Sequence, residues 1–300
     1  SHNQDRMDEI GRPVRFRDEA APAATFQFWS DIMRKSKFIL VLTLIGGPAF
    51  AQEAAPASSD DPKPETAITL FVAADYVTGD LADREYDTVS FSTGARVTSG
   101  RFSFAASIPY IVTSAPEDLI VSGGGLLGTA LLSRPSTQPG TVTREGIGDL
   151  TLQADYQLPV GRLNASFGGI IKVPTASREA ALGTGEVDLG INGQISQRFG
   201  NVIPFVTAGY TVVGEPAGFD VRNTLSGAVG SQFLVSNLSS VTVSYSYDQA
   251  ATELVGDNQS VGLGFATSLT NRLQLGVDAR AGLSTDAPDA RIGLRLGMGF

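Results

Sequence analysis

The sequence predicts an all-β protein: a signal peptide followed by a single antiparallel transmembrane β-barrel of about 12 strands. Three observations predict it. Residues 33–51 run from basic to apolar to small; segments of about ten residues alternate apolar and polar from Thr66 to Phe300; and the links between them alternate short and long.

Met33-Arg34-Lys35-Ser36-Lys37 is the basic head, Phe38 to Ile45 (FILVLTLI) the apolar core, and Ala49-Phe50-Ala51 the small-residue site. Cleavage is therefore expected between Ala51 and Gln52. Residues 1–32 show no repeated apolar pattern and are read as an upstream extension, not part of the native product. Residues 52–65 (QEAAPASSDDPKPE) are rich in Pro, Ala and acid, which reads as a flexible periplasmic lead-in. The barrel then occupies 66–300.

Composition agrees with this division. The chain is 42% hydrophobic, yet no apolar run approaches the ~20 residues of a membrane-spanning helix. Charged residues make up 18% and glycines number 34, a balance suited to strands that are apolar on alternate positions only. With no cysteine, disulfides, thiolate metal sites, cysteine nucleophiles and a lipidated N-terminal cysteine are excluded. The single histidine, His2, precedes the signal. A net charge of −9 offers no general footprint for nucleic acid.

Period-2 alternation places strands near 66–76, 87–98, 101–112, 147–158, 163–173, 185–198, 203–213, 223–235, 240–249, 259–269, 272–282 and 289–300. Leu150, Leu152, Ala154, Tyr156 and Leu158, for example, alternate with Thr151, Gln153, Asp155 and Gln157. Ser99-Gly100, Pro159–Arg162, Phe199–Asn201, Ser236–Ser239 and Thr270-Asn271 read as tight turns, with longer links at 77–86, 113–146, 174–184, 214–222, 250–258 and 283–288. Short turns on one rim and long loops on the other distinguish an outer-membrane barrel from a soluble sandwich. Phe300 closes an amphipathic last strand, resembling the signal read by the outer-membrane barrel assembly machinery, an expected partner together with outer-membrane lipid.

The same parity sends Asp75, Arg96, Asp149, Gln153, Asp155, Lys172, Asp188, Asn192, Gln194, Arg198, Asp248, Asp278, Arg280, Arg291 and Arg295 into the lumen. A basic residue facing lipid near the midplane would cost about 2–4 kcal/mol, so one consistent parity is physically required. If Leu158 faces Leu163 across the Pro159–Arg162 turn, Asp149 lies opposite Lys172. The last hairpin places Arg280 opposite Arg291, an unfavourable like-charge pair that Asp75 and Asp278 could offset once strand twelve closes on strand one. These charges read either as a girdle of ion pairs filling a narrow barrel or as a field orienting a polar or zwitterionic solute.

The 114–145 link contains Gly123-Gly124-Gly125-Leu126-Leu127-Gly128 and is long enough to form a constriction, an apolar cap or a plain surface loop. Gly123–Gly128 lacks the Lys-Ser/Thr of a phosphate loop, and Gly183–Gly190 opens a strand instead of a dinucleotide-binding helix. No 12-residue calcium loop occurs, and no cofactor or metal is expected. Outer-membrane hydrolases and acyltransferases generally use a histidine base, which the mature chain would lack, so an enzyme is not expected.

Gly146-Ile147-Gly148-Asp149-Leu150, Lys172-Val173-Pro174-Thr175, Gly183–Asp188 and Pro204-Phe205 leading to Gly209-Tyr210 and Gly214 resemble the outer-membrane family of the meta-pathway of phenol degradation. Members are proposed transporters, and Ala176 stands where that pattern has Gly. The resemblance implies a barrel and a transport role with no defined substrate. The expectation is a porin-like channel for passive passage of small molecules, hydrophobic or aromatic compounds among them. The alternatives are a non-conducting structural or adhesion barrel with a filled lumen and, third, an outer-membrane enzyme.

Overall fold

The structure is a computed structural model; it describes residues 66–80, 84–117, 119–121, 130–132, 140–161, 163–177, 180–216 and 220–300. The upstream extension, signal peptide, cleavage site, lead-in and Gly123–Gly128 lie outside the described residues. Every described element is a strand: β1 (Thr66–Asp80), β2 (Glu85–Ser99), β3 (Phe102–Pro116), β4 (Leu119–Val121), β5 (Ala130–Leu132), β6 (Thr141–Ile147), β7 (Leu150–Val160), β8 (Leu163–Val173), β9 (Asp188–Gln197), β10 (Val202–Val212), β11 (Thr224–Leu234), β12 (Ser239–Asp248), β13 (Asn258–Ser268), β14 (Leu273–Gly282) and β15 (Ala290–Gly299).

Twelve of these, β1 to β3 and β7 to β15, pair antiparallel with their neighbours, and β1 pairs with β15 to close the cylinder. Closure removes every free edge, which a strand in hydrocarbon cannot tolerate. The expected strands are all present, with two differences. The first three strands are 15 residues long, more than the 9–11 that span a bilayer, so they continue beyond it into what reads from sequence as loop. The long link is also partly ordered: β4 and β5 pair with each other, and β6 pairs with the upper part of β3.

β6 and β7 are one barrel strand broken by a bulge. Tyr110 faces Ile147 but Ser107 faces Thr151, so one extra residue is inserted on the 147–151 side. A bulge reverses side-chain parity, which is why Gly148 and Asp149 are both buried while Ile147 is exposed. Alternation from the sequence alone cannot register this insertion.

Tight turns are set by glycine. Gly100, Gly161 and Gly200 have φ of 59°, 60° and 62° and each opens a two-residue hairpin turn, the geometry whose twist suits antiparallel strands. The turn after β7 is consequently shorter than the sequence suggests. Val160 pairs with Leu163, so Leu158 faces Ala165 and Lys172 faces Thr151, not Asp149. The expected register is off by two residues. Because two is one full side-chain period, no residue changes face.

Burial is inverted relative to a soluble domain. Ile191, Leu263, Phe104 and Val206 are exposed on the outside, whereas Asp75, Arg96, Lys172 and Asp188 are buried inside. The lipid-facing surface carries aromatic groups at both margins, as interfacial girdles require. Near the tight turns, the Tyr156 ring lies 4.8 Å from Phe102 and 5.7 Å from Phe167. At the loop side tyrosines predominate: Tyr76 donates to Asp87 at 2.7 Å and Tyr245 to Gln259 at 3.0 Å, holding their polar tips at the water boundary. Inside, Phe71 lies over Gly94 and Phe205 over Gly230, each glycine being the phenylalanine's own cross-strand partner.

Candidate functional site: the charged lumen and its mouth

The first constellation lies on the seam where the barrel closes. On β15 the lumen face reads Arg291, Gly293, Arg295, and Gly293 is level with Asp75 on β1 and Asp278 on β14. A Cβ at Gly293 would stand 2.7 Å from Asp278 Oδ1 and 2.9 Å from Asp75 Oδ1, so the missing side chain is the space the two carboxylates occupy. Arg291 Nη2 and Nε donate to Asp75 Oδ1 at 2.8 and 3.3 Å. Arg295 Nη1 donates to Asp278 Oδ1, and its Nη2 reaches Asp75 Oδ1 at 3.4 Å. Arg280 faces Arg291 directly, as the sequence predicts, and the two aspartates offset that repulsion.

The second constellation gathers Asp149, Lys172 and Asp188 at the loop-side ends of β7, β8 and β9. Lys172 and Asp188 are cross-strand partners with Nζ 2.5 Å from Asp188 Oδ2; Asp149 Oδ2 is 3.7 Å from the same Nζ and Thr184 Oγ1 3.3 Å. Asp149 keeps the inward parity of Thr151 and Gln153, and from there its carboxylate reaches Lys172 despite the changed register. The carboxylates also accept backbone donors: Ala176 N to Asp149 Oδ1 at 3.0 Å, and Gly214 N to Asp188 Oδ1 at 2.9 Å. Thr175 Oγ1 accepts from Leu150 N at 2.8 Å and donates to the Gly148 carbonyl at 2.9 Å. This cluster fastens the segment between β8 and β9 to the wall.

The third crosses from β2 to β7 over the small side chains of β3. Arg96 Nη1 donates to Ser103 Oγ at 2.9 Å and lies 3.7 Å from Asp155 Oδ2, while Gln153 Nε2 donates to Asp155 Oδ1 at 3.0 Å. Arg96 and Gln153 both sit level with Ala105, whose methyl group leaves the guanidinium room to pass. Alternation assigns both charges to the lumen, but their pairing depends on two registers that no local pattern carries.

Of the other candidates, Gln194 and Asn192 face the lumen on β9, and Asp248 does so at the top of β12. Arg198 continues the same parity one residue past the end of β9 at Gln197; it is exposed at the tight-turn rim, where its Nε donates to the Gly200 carbonyl at 2.8 Å. Phe300 donates its backbone N–H to the Ile68 carbonyl at 2.8 Å and exposes its ring on the outer surface.

At the mouth, loops fold over the lumen. Val255, between β12 and β13, packs with Tyr86 of β2 and Ala115 of β3, strands on the far side of the barrel order. Val213 packs with Ala251 and Val221, and Leu182 with Ile111 and Ala176. Asp257 anchors this arrangement. Tyr247 donates to its Oδ2 at 2.6 Å, Ala250 N to Oδ1 at 2.9 Å, and Arg222 Nη2 lies 3.5 Å away. The Tyr247 hydroxyl, then the Ala250 amide, hold the Asp257 carboxyl below the usual carboxylate range, with Arg222 adding to the effect. Ser284 donates to the Asp257 carbonyl at 2.7 Å, and Gly256 N donates to Asp286 Oδ2 at 2.6 Å, which ties in the last loop. None of these loop residues carries a sequence signal, because loop parity is undefined. Among the described residues no His, Asp and Glu cluster could hold a metal ion.

A closed 12-stranded antiparallel cylinder, apolar outside and charged within, defines an outer-membrane β-barrel, and this places the chain in the bacterial outer membrane in contact with its lipid. The chain belongs to the family described as "Putative MetA-pathway of phenol degradation", which it matches over residues 82–298. Its fold is similar to that of an outer membrane channel from Pseudomonas putida F1, with a TM-score of 0.58 and 14% identity over 83% of this chain and 100% of that one. Further similarities are the NanC porin (TM-score 0.47, 8% identity, 77% of this chain and 98% of that one) and the translocator domain of the autotransporter NalP from Neisseria meningitidis (0.44, 12%, 81% and 89%). No curated protein matches in sequence.

Proposed function

We propose that this barrel is a passive channel for small solutes across the outer membrane, hydrophobic or aromatic compounds among them. One observation carries the reading: the lumen is lined by charged and hydroxyl side chains on strands around the barrel, a lining suited to contact with water and polar groups of a solute. The family description and the apolar side chains gathered at the mouth, Val255, Val213 and Leu182 among them, support the hydrophobic or aromatic class. The barrel assembly machinery is the partner we assign to the Phe300 end, and we assign no catalysis to the lumen.

A second reading is favoured by a specific observation. The charged side chains are largely matched by one another, and loops cross the mouth, as a non-conducting structural barrel would require. Planar-bilayer conductance and liposome swelling with purified protein separate the two. The channel reading expects unitary current and swelling in small solutes; a silent bilayer together with no swelling in any solute class rejects it.

A further inference from the structure

Among the described residues, Arg280 of the seam and Asp248 of β12 are two opposite charges that no ion pair within 4 Å engages. Asp75 takes Arg291, and Asp278 takes Arg295. Arg280, on the adjacent strand, has an Nη2 that is buried and without a hydrogen-bond partner among the described residues. Its stem lies beside its cross-strand partner Gly262 of β13, where a Cβ would be 3.5 Å from Arg280 Cγ and 2.9 Å from Ser244 Oγ of β12, so no side chain on β13 stands between Arg280 and β12 at that level. On β12 the lumen face carries Ser244, Ser246 and, at the top, Asp248. Asp248 is one of the carboxylates whose charge acts on Arg280, yet the two form no ion pair within 4 Å. The Ser246–Ser260 hydroxyl pair, 2.7 Å apart, floors the interval between them.

We infer that Arg280 and Asp248 form a subsite for a small zwitterionic solute, its carboxylate toward Arg280 and its ammonium toward Asp248. The inference rests on the channel reading. An unmatched buried donor is unfavourable, and a solute carboxylate supplies the missing acceptor and offsets the repulsion between Arg280 and Arg291. The same carboxylate alone would draw repulsion from Asp248, so the wall discriminates against simple anions. A neutral solute satisfies neither end. The seam is neutral as a whole, three aspartates against three arginines, so the selectivity comes from separated charges and not from net field.

The test uses the full barrel in proteoliposomes. Swelling rates are compared for ω-amino acids from β-alanine to 6-aminohexanoate, for neutral amides of matched size, and for matched monocarboxylates. The expected result is a zwitterion-to-amide ratio of about threefold or more at one chain length, the scale of one partly solvated ion pair. R280Q and D248N each bring that ratio to about one, and the exchange D248R/R280D restores it. Heat-modifiable migration in gels reports whether each variant has formed a barrel. A wild-type ratio near one at all lengths overturns the subsite while leaving the channel standing, and so does a ratio that neither single substitution lowers. No swelling in amides, acids or zwitterions removes both.

Discussion

Arg291 and Asp75, separated by 216 positions in the chain, meet across the seam between the last strand and the first, Nη2 to Oδ1 at 2.8 Å. Their contact exists only when the cylinder is closed. Asp75 also serves Arg295, so one carboxylate holds two guanidinium groups.

Replacing Asp75 is therefore expected to be costly. D75N leaves Arg291 without its counter-charge and Arg295 with Asp278 as its one carboxylate, and breaking such a buried pair costs about 3–5 kcal/mol. The double variant D75N/R291Q should recover part of the loss, since it removes the stranded cation. Heat-modifiable gel migration against temperature measures both.

Lys172 is expected to matter as much, at a different place. K172M leaves Asp188, 1% exposed, and Asp149 facing each other without a cation, again a loss of about 3–5 kcal/mol. The segment between β8 and β9 should also loosen, because its anchors are those carboxylates. Limited proteolysis should then cut between 174 and 187, where the wild type resists.

Gly230, on the lumen face, and Gly169, on the lipid face, should differ sharply. A Cβ at Gly230 would lie 2.5 Å from the Val243 carbonyl oxygen and 2.6 Å from Phe205 Cζ, whereas at Gly169 the nearest atom is 3.7 Å away. G230A is expected to destabilise by about 1–3 kcal/mol and G169A to stay within ~0.5 kcal/mol of wild type. Unfolding in urea, followed by intrinsic fluorescence or circular dichroism, compares them.

The mouth should open in acid. The folded-state pKa of Asp257 is depressed, so its contribution is present above the unfolded value of about 4 and is lost as pH falls through the lower, folded one. Hydrogen exchange at residues 249–257 should therefore rise below about pH 4. In D257N that part of the rise should already be present at neutral pH, because the amide holds Tyr247 and Ala250 less firmly. If exchange there is pH-independent in the wild type, after correction for intrinsic rates, Asp257 does not lock the loop.

Strand identity and facing were legible from residues alone because both depend on a period of two, a local property. Leu163–Val173 is a strand with the expected ends, and Asp75, Lys172 and Asp278 face inward as alternation requires. Arg280 opposite Arg291 followed from the length of the single link at 283–288. A strand end, unlike a strand interior, is set by turn geometry: Arg198 lies one residue beyond β9, exposed at the rim.

What tertiary structure alone decided has a common cause: it depends on registers summed over several hairpins. The Gly148 bulge, the two-residue slip after β7, the reach of Arg96 over Ala105 to Asp155, and the packing of Val255 on Tyr86 each join segments whose alignment no single window of sequence contains. By itself, the sequence determined which residues turn to lipid and which turn inward, since a charge on the wrong face would be expelled by the bilayer. Which inward charges neutralise one another was decided by the registers between strands and, for Asp75 with Arg291 and Arg295, by the closing of the cylinder.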